Sequence, residues 1–347
     1  MKINLISDTV TKPTPEMLQA MMSAEVGDDV FGADPTINKL EEMAAHMFAQ
    51  EAAIFCPSGT MTNQIAIKTH TQPLDEIICD HYSHVYQYET AGYSFNSGVG
   101  INLIAGTNGK ITRQQVEAAI KPLYDWLPVS RLVVLENTCN KGGGSYYTLD
   151  EIQPIRDLCQ ERGLRLHLDG ARLFNALVET GESTQDIGKT FDSISICLSK
   201  GLGAPVGSLL IGKAAFIRQA RRYRKVMGGG MRQAGYLAAA GIYALKNHRD
   251  RLKTDNDRAR QLGRVLEQQP YVSTVRPVRS NIVIFDLADT LDSAAFLELL
   301  AKFGVLASPF GPKTVRFVTH LDVSQEMIDR TIEVLQVQVP QSLAASA

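Results

Sequence analysis

The sequence predicts an α/β fold with helices packed around a sheet, and three observations predict it. Short apolar runs alternate with longer patterns of helical period through most of the chain. Two of those runs end in chemically distinctive residues, Asp169-Gly170-Ala171-Arg172 and Ser199-Lys200-Gly201, at the edge where open α/β sheets carry ligands. The alternation then changes character near Met231, where strands give way to long helical patterns before a strand, a helix and a strand close the chain. With 347 residues the chain is long enough for two domains at roughly 150 residues each.

Taken in order, Asp34 caps a helix that opens on Pro35, and Ile37, Leu40, Ala44, Met47 and Phe48 recur on one face. Ala52 to Cys56 is a short buried strand. Further strands are expected over Glu76 to Asp80, Ile101 to Ala105, Leu132 to Leu135, Leu164 to Leu168, Ser193 to Leu198 and Ser208 to Ile211. Asn108-Gly109 is a tight turn, and Thr112 with Gln115 forms a capping box just after it. Helical patterns fill Met231 to Arg264. Asn281 to Leu287, Ser293 to Phe303 and Val315 to Thr319 then read as strand, helix and strand of a smaller α+β domain. The small-residue end, Ser342 to Ala347, reads as frayed.

Composition narrows the function classes. Apolar residues make up 44% and charged residues 21%, with 35 basic against 37 acidic side chains, so the chain lacks the basic footprint of a nucleic-acid binder. The longest apolar stretch, Tyr236 to Leu245, is too short to span a bilayer, and Asp8 interrupts any signal-like segment. The expectation is a soluble, cytoplasmic protein with no membrane partner. Five scattered cysteines without a C-x-x-C pair fit reduced thiols.

Alone, Asp169 and Arg172 read as a helix cap and a surface ion pair. Lys200, which leaves a second buried strand into a glycine turn, changes that reading, because a lysine in a partly desolvated pocket can form a Schiff base with an aldehyde. An acid one strand away suits pyridoxal phosphate, whose ring nitrogen needs an anionic partner. Pro57-Ser58-Gly59-Thr60-Met61-Thr62-Asn63 lies between a strand and a helical pattern, where backbone N–H groups hold a phosphate. Each signal is weak by itself, and together they converge on one cofactor.

These segments resemble the threonine aldolases, fold-type I pyridoxal-phosphate enzymes related to the aspartate aminotransferases. The resemblance runs from Ser7-Asp8-Thr9-Val10-Thr11 through Gly27-Asp28-Asp29-Val30, Leu168 to Asn175, Cys197 to Ser208 and Met227 to Gln233, to Val318-Thr319-His320-Leu321-Asp322. It implies a large domain over residues 1–248 with a mostly parallel seven-stranded sheet, and a small C-terminal α+β domain over residues 249–347. It implies pyridoxal 5'-phosphate linked to Lys200, its ring nitrogen paired with Asp169 and its phosphate held by Gly59 and Thr60. His84 matches the imidazole that stacks on the ring and is a candidate for proton transfer. His81 lies close by, but without a further ligand cluster no metal site is expected.

The resemblance further implies that Ser7, Arg172 and Arg316 bind the carboxylate of a small amino-acid substrate, a task suited to arginine's planar donors. Lys225 and Arg232 match residues that reach the phosphate of a neighbouring subunit's cofactor, so a homo-oligomer, a dimer of dimers, is implied. Glycines 228 to 230 would allow close approach there. One departure stands out. Cys139, in Glu136-Asn137-Thr138-Cys139-Asn140, replaces the family histidine that contacts the substrate's β-hydroxyl, so it is expected to reshape the pocket and influence substrate choice. The implied reaction is reversible cleavage of a β-hydroxy-α-amino acid, of the L-threonine or L-allo-threonine type, to glycine and an aldehyde. β-Elimination or transamination on the same scaffold is the alternative. A non-catalytic ligand-binding relative would be expected to lack the lysine, and a dinucleotide enzyme is disfavoured because no G-x-G-x-x-G follows the first strand.

Overall fold

The computed structural model describes residues 1–345, and in it each of the seven apolar runs expected before residue 212 becomes a strand of one sheet. Strand β1, Ile3–Asn4, precedes them. The seven are β2 (Ala52–Cys56), β3 (Asp75–Asp80), β4 (Gly100–Ile104), β5 (Val129–Glu136), β6 (Arg165–Gly170), β7 (Ser193–Cys197) and β8 (Ser208–Gly212). Their order is β2-β8-β7-β6-β5-β3-β4. All neighbours are parallel except that β8 runs against both β7 and β2. The sheet is therefore mostly parallel, as expected, with helices on both faces.

Coverage of both faces explains why these strands read as continuous apolar runs rather than alternating ones. Successive side chains point to opposite faces, so each strand supplies two cores. Val133 and Leu135 join the core formed with helices Pro35–Met47 and Leu149–Arg162, whereas Leu132 and Val134 join Ile77 and Cys79 on the other face. The expected punctuation is present. Asp34 accepts the N–H groups of Thr36 and Ile37 at 3.1 and 3.0 Å, and Thr112 and Gln115 form a capping box. Asn108 and Gly109 turn with positive φ of 53° and 80°.

After helices Gly235–Asn247 and Leu252–Leu266 the chain builds a second sheet of order β12-β13-β10-β9, wholly antiparallel, from β9 (Val272–Val275), β10 (Ile282–Leu287), β12 (Ser308–Pro309) and β13 (Thr314–Val318). Its core packs aliphatic side chains around aromatic rings, with Phe285 and Phe317 edge to face at 5.1 Å. The expected helix is Ser293–Lys302. The N-terminus belongs to this core by contact: β1 pairs in parallel with β11 (Val305–Leu306), and Ile3 and Leu5 are fully buried among the C-terminal residues. The end expected to fray is helical through Ala345, while Ser346 and Ala347 lie outside the described residues. No helix among the described residues is long and apolar enough to cross a membrane, and all five cysteines are buried and free.

Candidate active site

Parallel strands end together, so β5, β6 and β7 present Glu136, Asp169 and Ser195 side by side: Glu136 is paired with Asp169, and Asp169 with Ser195. Lys200 leaves β7 beside them. The segment after β1 is held over this edge by its pairing with β11. Together they enclose a cleft of about 360 Å³. Its walls include Ser7, His84, Arg172, Lys200 and Arg316, with Tyr88, Asn140 and Phe310. Five residues named from widely separated stretches of sequence therefore meet in one cleft.

Two arginines face the cleft. Arg172 is buried and donates from Nε and Nη2 to both oxygens of Asp8, at 2.6 and 2.7 Å. Burial alone would raise the Asp8 carboxyl, but the charge and hydrogen bonds of Arg172 outweigh it and bring the group down to about 2. Arg316 has no such counter-ion among the described residues. Its Nη1 donates to Asn140 Oδ1 at 2.8 Å, its Nη2 to the Ile6 carbonyl at 3.0 Å, and its guanidinium lies 4.9 Å from the Phe310 ring. Burial and the nearby Arg172 charge lower it to about 10. A second carboxylate entering here would supply the negative charge that Arg316 lacks.

Asp169 is oriented by Ala171 N–H at 3.2 Å and by Asn63 Nδ2 at 2.8 Å. The same Asn63 amide nitrogen donates to Glu89 at 2.8 Å, and Glu89 accepts His84 Nδ1–H at 2.9 Å. Burial opposes a charge on His84, yet the Glu89 bond and the charges of Asp169, Glu89 and Glu136 raise its pKa above the ordinary imidazole value. With Nδ1 engaged by Glu89, Nε2 is the nitrogen free for the cleft. His84, Glu89 and Asp169 each bring one ligand atom within 4.8 Å of the others. The sequence reading names no metal here, and hydrogen bonds within the protein already occupy both carboxylates of the trio.

Helix Gly59–His70 starts beside this cluster. Ser58 caps it by accepting Met61 N–H at 3.2 Å, and the Gly59 and Thr60 amides stand at the terminus, where an α-helix has no carbonyl to offer them. A Cβ on Gly59 would lie 2.7 Å from Cys197 Sγ, so the absent side chain lets this helix end press against β7, three residues before Lys200. The Lys200 carbonyl accepts Gly203 N–H at 2.8 Å, while its Nζ makes no hydrogen bond or ion pair among the described residues. A helix end with open backbone N–H groups, a fixed carboxylate and an unengaged amine fit pyridoxal phosphate.

Three expected positions need comment. Cys139, expected to reshape the pocket, is buried: its N–H donates to the Ser145 carbonyl at 2.8 Å, and its Sγ lies against Gly109 and 4.0 Å from Glu136 Oε2, behind the cleft. Asn140 takes the wall position, and burial raises the Cys139 thiol well above its usual range. Lys225 and Arg232 are exposed and do not line the cleft. Arg232 donates to Asp28 at 2.8 Å and lies over Phe31, itself 80% exposed. The close approach at Gly229 is to Met61 of the same chain, where a Cβ would come within 2.3 Å. The sequence reading misses the roles of Asp8, Asn63, Glu89 and Glu136. Asp8, Asn63 and Glu136 stand inside quoted segments without their roles being read there, and Glu89 lies outside all of them.

Fold and site together define an α/β enzyme of the pyridoxal-phosphate, fold-type I class, and residues 4–290 match the family model described as beta-eliminating lyase. The chain is 42% identical over 329 residues to the low specificity L-threonine aldolase of Escherichia coli K12, covering 94% of this chain and 96% of that one. It is 37% identical over 341 residues to low-specificity L-threonine aldolase 1 of Arabidopsis thaliana, with 96% and 95% covered. The solved Leishmania major threonine aldolase superposes with a TM-score of 0.85 at 24% identity, covering 97% and 99% of the two chains. A Sphingomonas wittichii serine palmitoyltransferase shares the fold more distantly, with a TM-score of 0.77 at 18% identity over 99% and 88%. The chain belongs to the threonine aldolase family.

Proposed function

We propose that this chain is a pyridoxal-phosphate-dependent carbon–carbon lyase that cleaves a β-hydroxy-α-amino acid, of the L-threonine or L-allo-threonine type, reversibly to glycine and an aldehyde. The observation that carries this reading is the meeting of Lys200, His84 and a two-arginine clamp in one cleft. Lys200 and Asp169 would hold the cofactor at its aldehyde carbon and ring nitrogen, Gly59 and Thr60 its phosphate, and His84 its ring face. When bound, the cofactor supplies an electron sink for the pair released at Cα.

The protein's own residues do the rest. Asp8 holds Arg172 rigid, so Ser7, Arg172 and Arg316 bind the substrate carboxylate in one orientation. Fixing the carboxylate fixes rotation at Cα, which decides whether Cα–Cβ or Cα–H is the bond poised to break. His84, its Nδ1 engaged by Glu89, presents Nε2 to take the β-hydroxyl proton, directly or through water. Cys139 acts on substrate choice from behind the wall, where its Sγ lies 4.0 Å from Glu136 Oε2.

The decisive assay incubates purified protein with L-threonine, L-allo-threonine and phenylserine and measures glycine and aldehyde. Release of a 2-oxo acid with ammonia instead would assign the chain to β-elimination. Lys225 and Arg232 are read as contacts to the neighbouring subunit's cofactor phosphate in a dimer of dimers, a reading supported by their exposure beside Phe31 and Val226. The division into residues 1–248 and 249–347 falls in the turn between helices Gly235–Asn247 and Leu252–Leu266, and a cytoplasmic location completes the proposal.

A further inference from the structure

Glu136 ends β5 with its side chain buried beneath the cleft. Each oxygen takes one backbone N–H: Oε2 from His84 and Oε1 from Asn140, both at 2.9 Å. Asn140 extends the connection, since its own Oδ1 accepts from Arg316 Nη1 at 2.8 Å. One carboxylate thus ties the segment that carries His84 to the wall that orients Arg316.

We propose that Glu136 is a positioning residue that couples carboxylate recognition by Arg316 to the placement of His84, and that a proton on Glu136 loosens both. The proposal rests on reading the cleft as an amino-acid site. An ionised carboxylate accepts at both oxygens, whereas a protonated one carries a donor on one of them, which cannot pair with an N–H. Protonation therefore costs one of the two ties. The groups facing Glu136 are Asp169 on β6, Cys79 on β3, His84 and Tyr88 from the segment above, Cys139 beside it and Arg172. Burial, reinforced by the Asp169 charge, pushes the Glu136 carboxyl up to about 7, against the pull of the Asn140 and His84 contacts. Above that pH both ties are made, and below it one is lost.

The test titrates the holoenzyme with glycine, followed by cofactor absorbance, between about pH 6 and about pH 8, for the wild type, Glu136→Gln and Asn140→Ala, with melting curves alongside. The wild type should bind glycine more weakly as pH falls, by about tenfold, the lower end of the worth of one hydrogen bond to a charged group. Glu136→Gln should bind weakly at every pH, because its amide cannot accept from both N–H groups. Asn140→Ala leaves the carboxylate in place but cuts the link to Arg316, so it too should lose the slope. It also separates this effect from titration of His84, which it leaves unchanged. A wild-type slope retained in both variants overturns the proposal, as does a lowered melting temperature with affinity and slope unchanged. Glycine binding with these slopes but no aldehyde from any β-hydroxy amino acid would support the coupling and reject the proposed reaction.

Discussion

Replacing Asp8 by asparagine tests the frame behind the carboxylate clamp. Asp8 is fully buried, with both oxygens on Arg172 and a further bond from Asn281 Nδ2 at 3.2 Å. Its carboxyl falls from an ordinary value of 3.8 to about 2. That shift corresponds to about 2 kcal/mol of native-state stability at neutral pH. Stranding a buried guanidinium by removing its partner costs more, about 3 to 5 kcal/mol. The two figures differ because the first removes only a charge while the second also leaves Arg172 unpaired beside Arg316. Asp8→Asn keeps the size and one acceptor, so the expected loss is about 2 to 4 kcal/mol, a large share of a typical total of roughly 5 to 15.

The sign follows from the lowered carboxyl: its contribution is complete above about pH 4 and disappears as pH falls through about 2. Urea unfolding of the wild type and Asp8→Asn should therefore show the full gap at neutral pH, narrowed to roughly half near pH 3. Equal stability at neutral pH, or a gap that does not narrow in acid, would refute the reasoning. Affinity for glycine should fall in parallel, because an unanchored Arg172 no longer presents one fixed edge.

The other expectations concern the cofactor and the subunits. Borohydride reduction followed by peptide mapping should place the cofactor on Lys200, and an adduct on another lysine would unseat that assignment. Asp169→Asn should keep the fold and lower turnover strongly, since a neutral amide no longer favours a protonated ring nitrogen; near-normal turnover with cofactor bound would give the acid another role. Sedimentation at assay concentration should show an oligomer, and Lys225→Ala should weaken cofactor retention only if a neighbour's site is involved; a fully active monomer would refute both. Cys139→Ser should remain active on both threonine diastereomers because the thiol packs behind the cleft, and abolished activity would make it a catalytic group.

Legibility in the sequence follows the range of the forces involved. Strands buried on both faces announce themselves as apolar runs, which is why Ala52–Cys56 and Ser193–Cys197 could be placed closely. Asp34, Pro35, Thr112 and Gln115 could be read because helix capping acts within one turn. Strands of two residues, such as Ile3–Asn4 and Val305–Leu306, have no period to detect. The same limit applies to the site. Lys200 and Asp169 sit at strand ends and are visible, whereas Asn63 and Glu89 acquire meaning only when a helix and a loop meet over β6. Cys139 could be named from its motif but not aimed, because aligned position says nothing of side-chain direction, and its sulfur lies against Gly109 and Glu136 Oε2.

The parallel pairing of Ile3–Asn4 with Val305–Leu306 imposes a timetable on a chain made from its amino terminus. The large sheet has all its strands once Gly212 has emerged, yet Ser7 and Asp8 cannot settle until their distant partner strand is translated, about 300 residues after them. Arg316 arrives later still. During synthesis the molecule therefore passes through a stage in which the cofactor-facing edge exists and the substrate clamp does not. Arg172 meets that interval without Asp8, on an open and hydrated edge. Substrate recognition is the last property the nascent protein acquires.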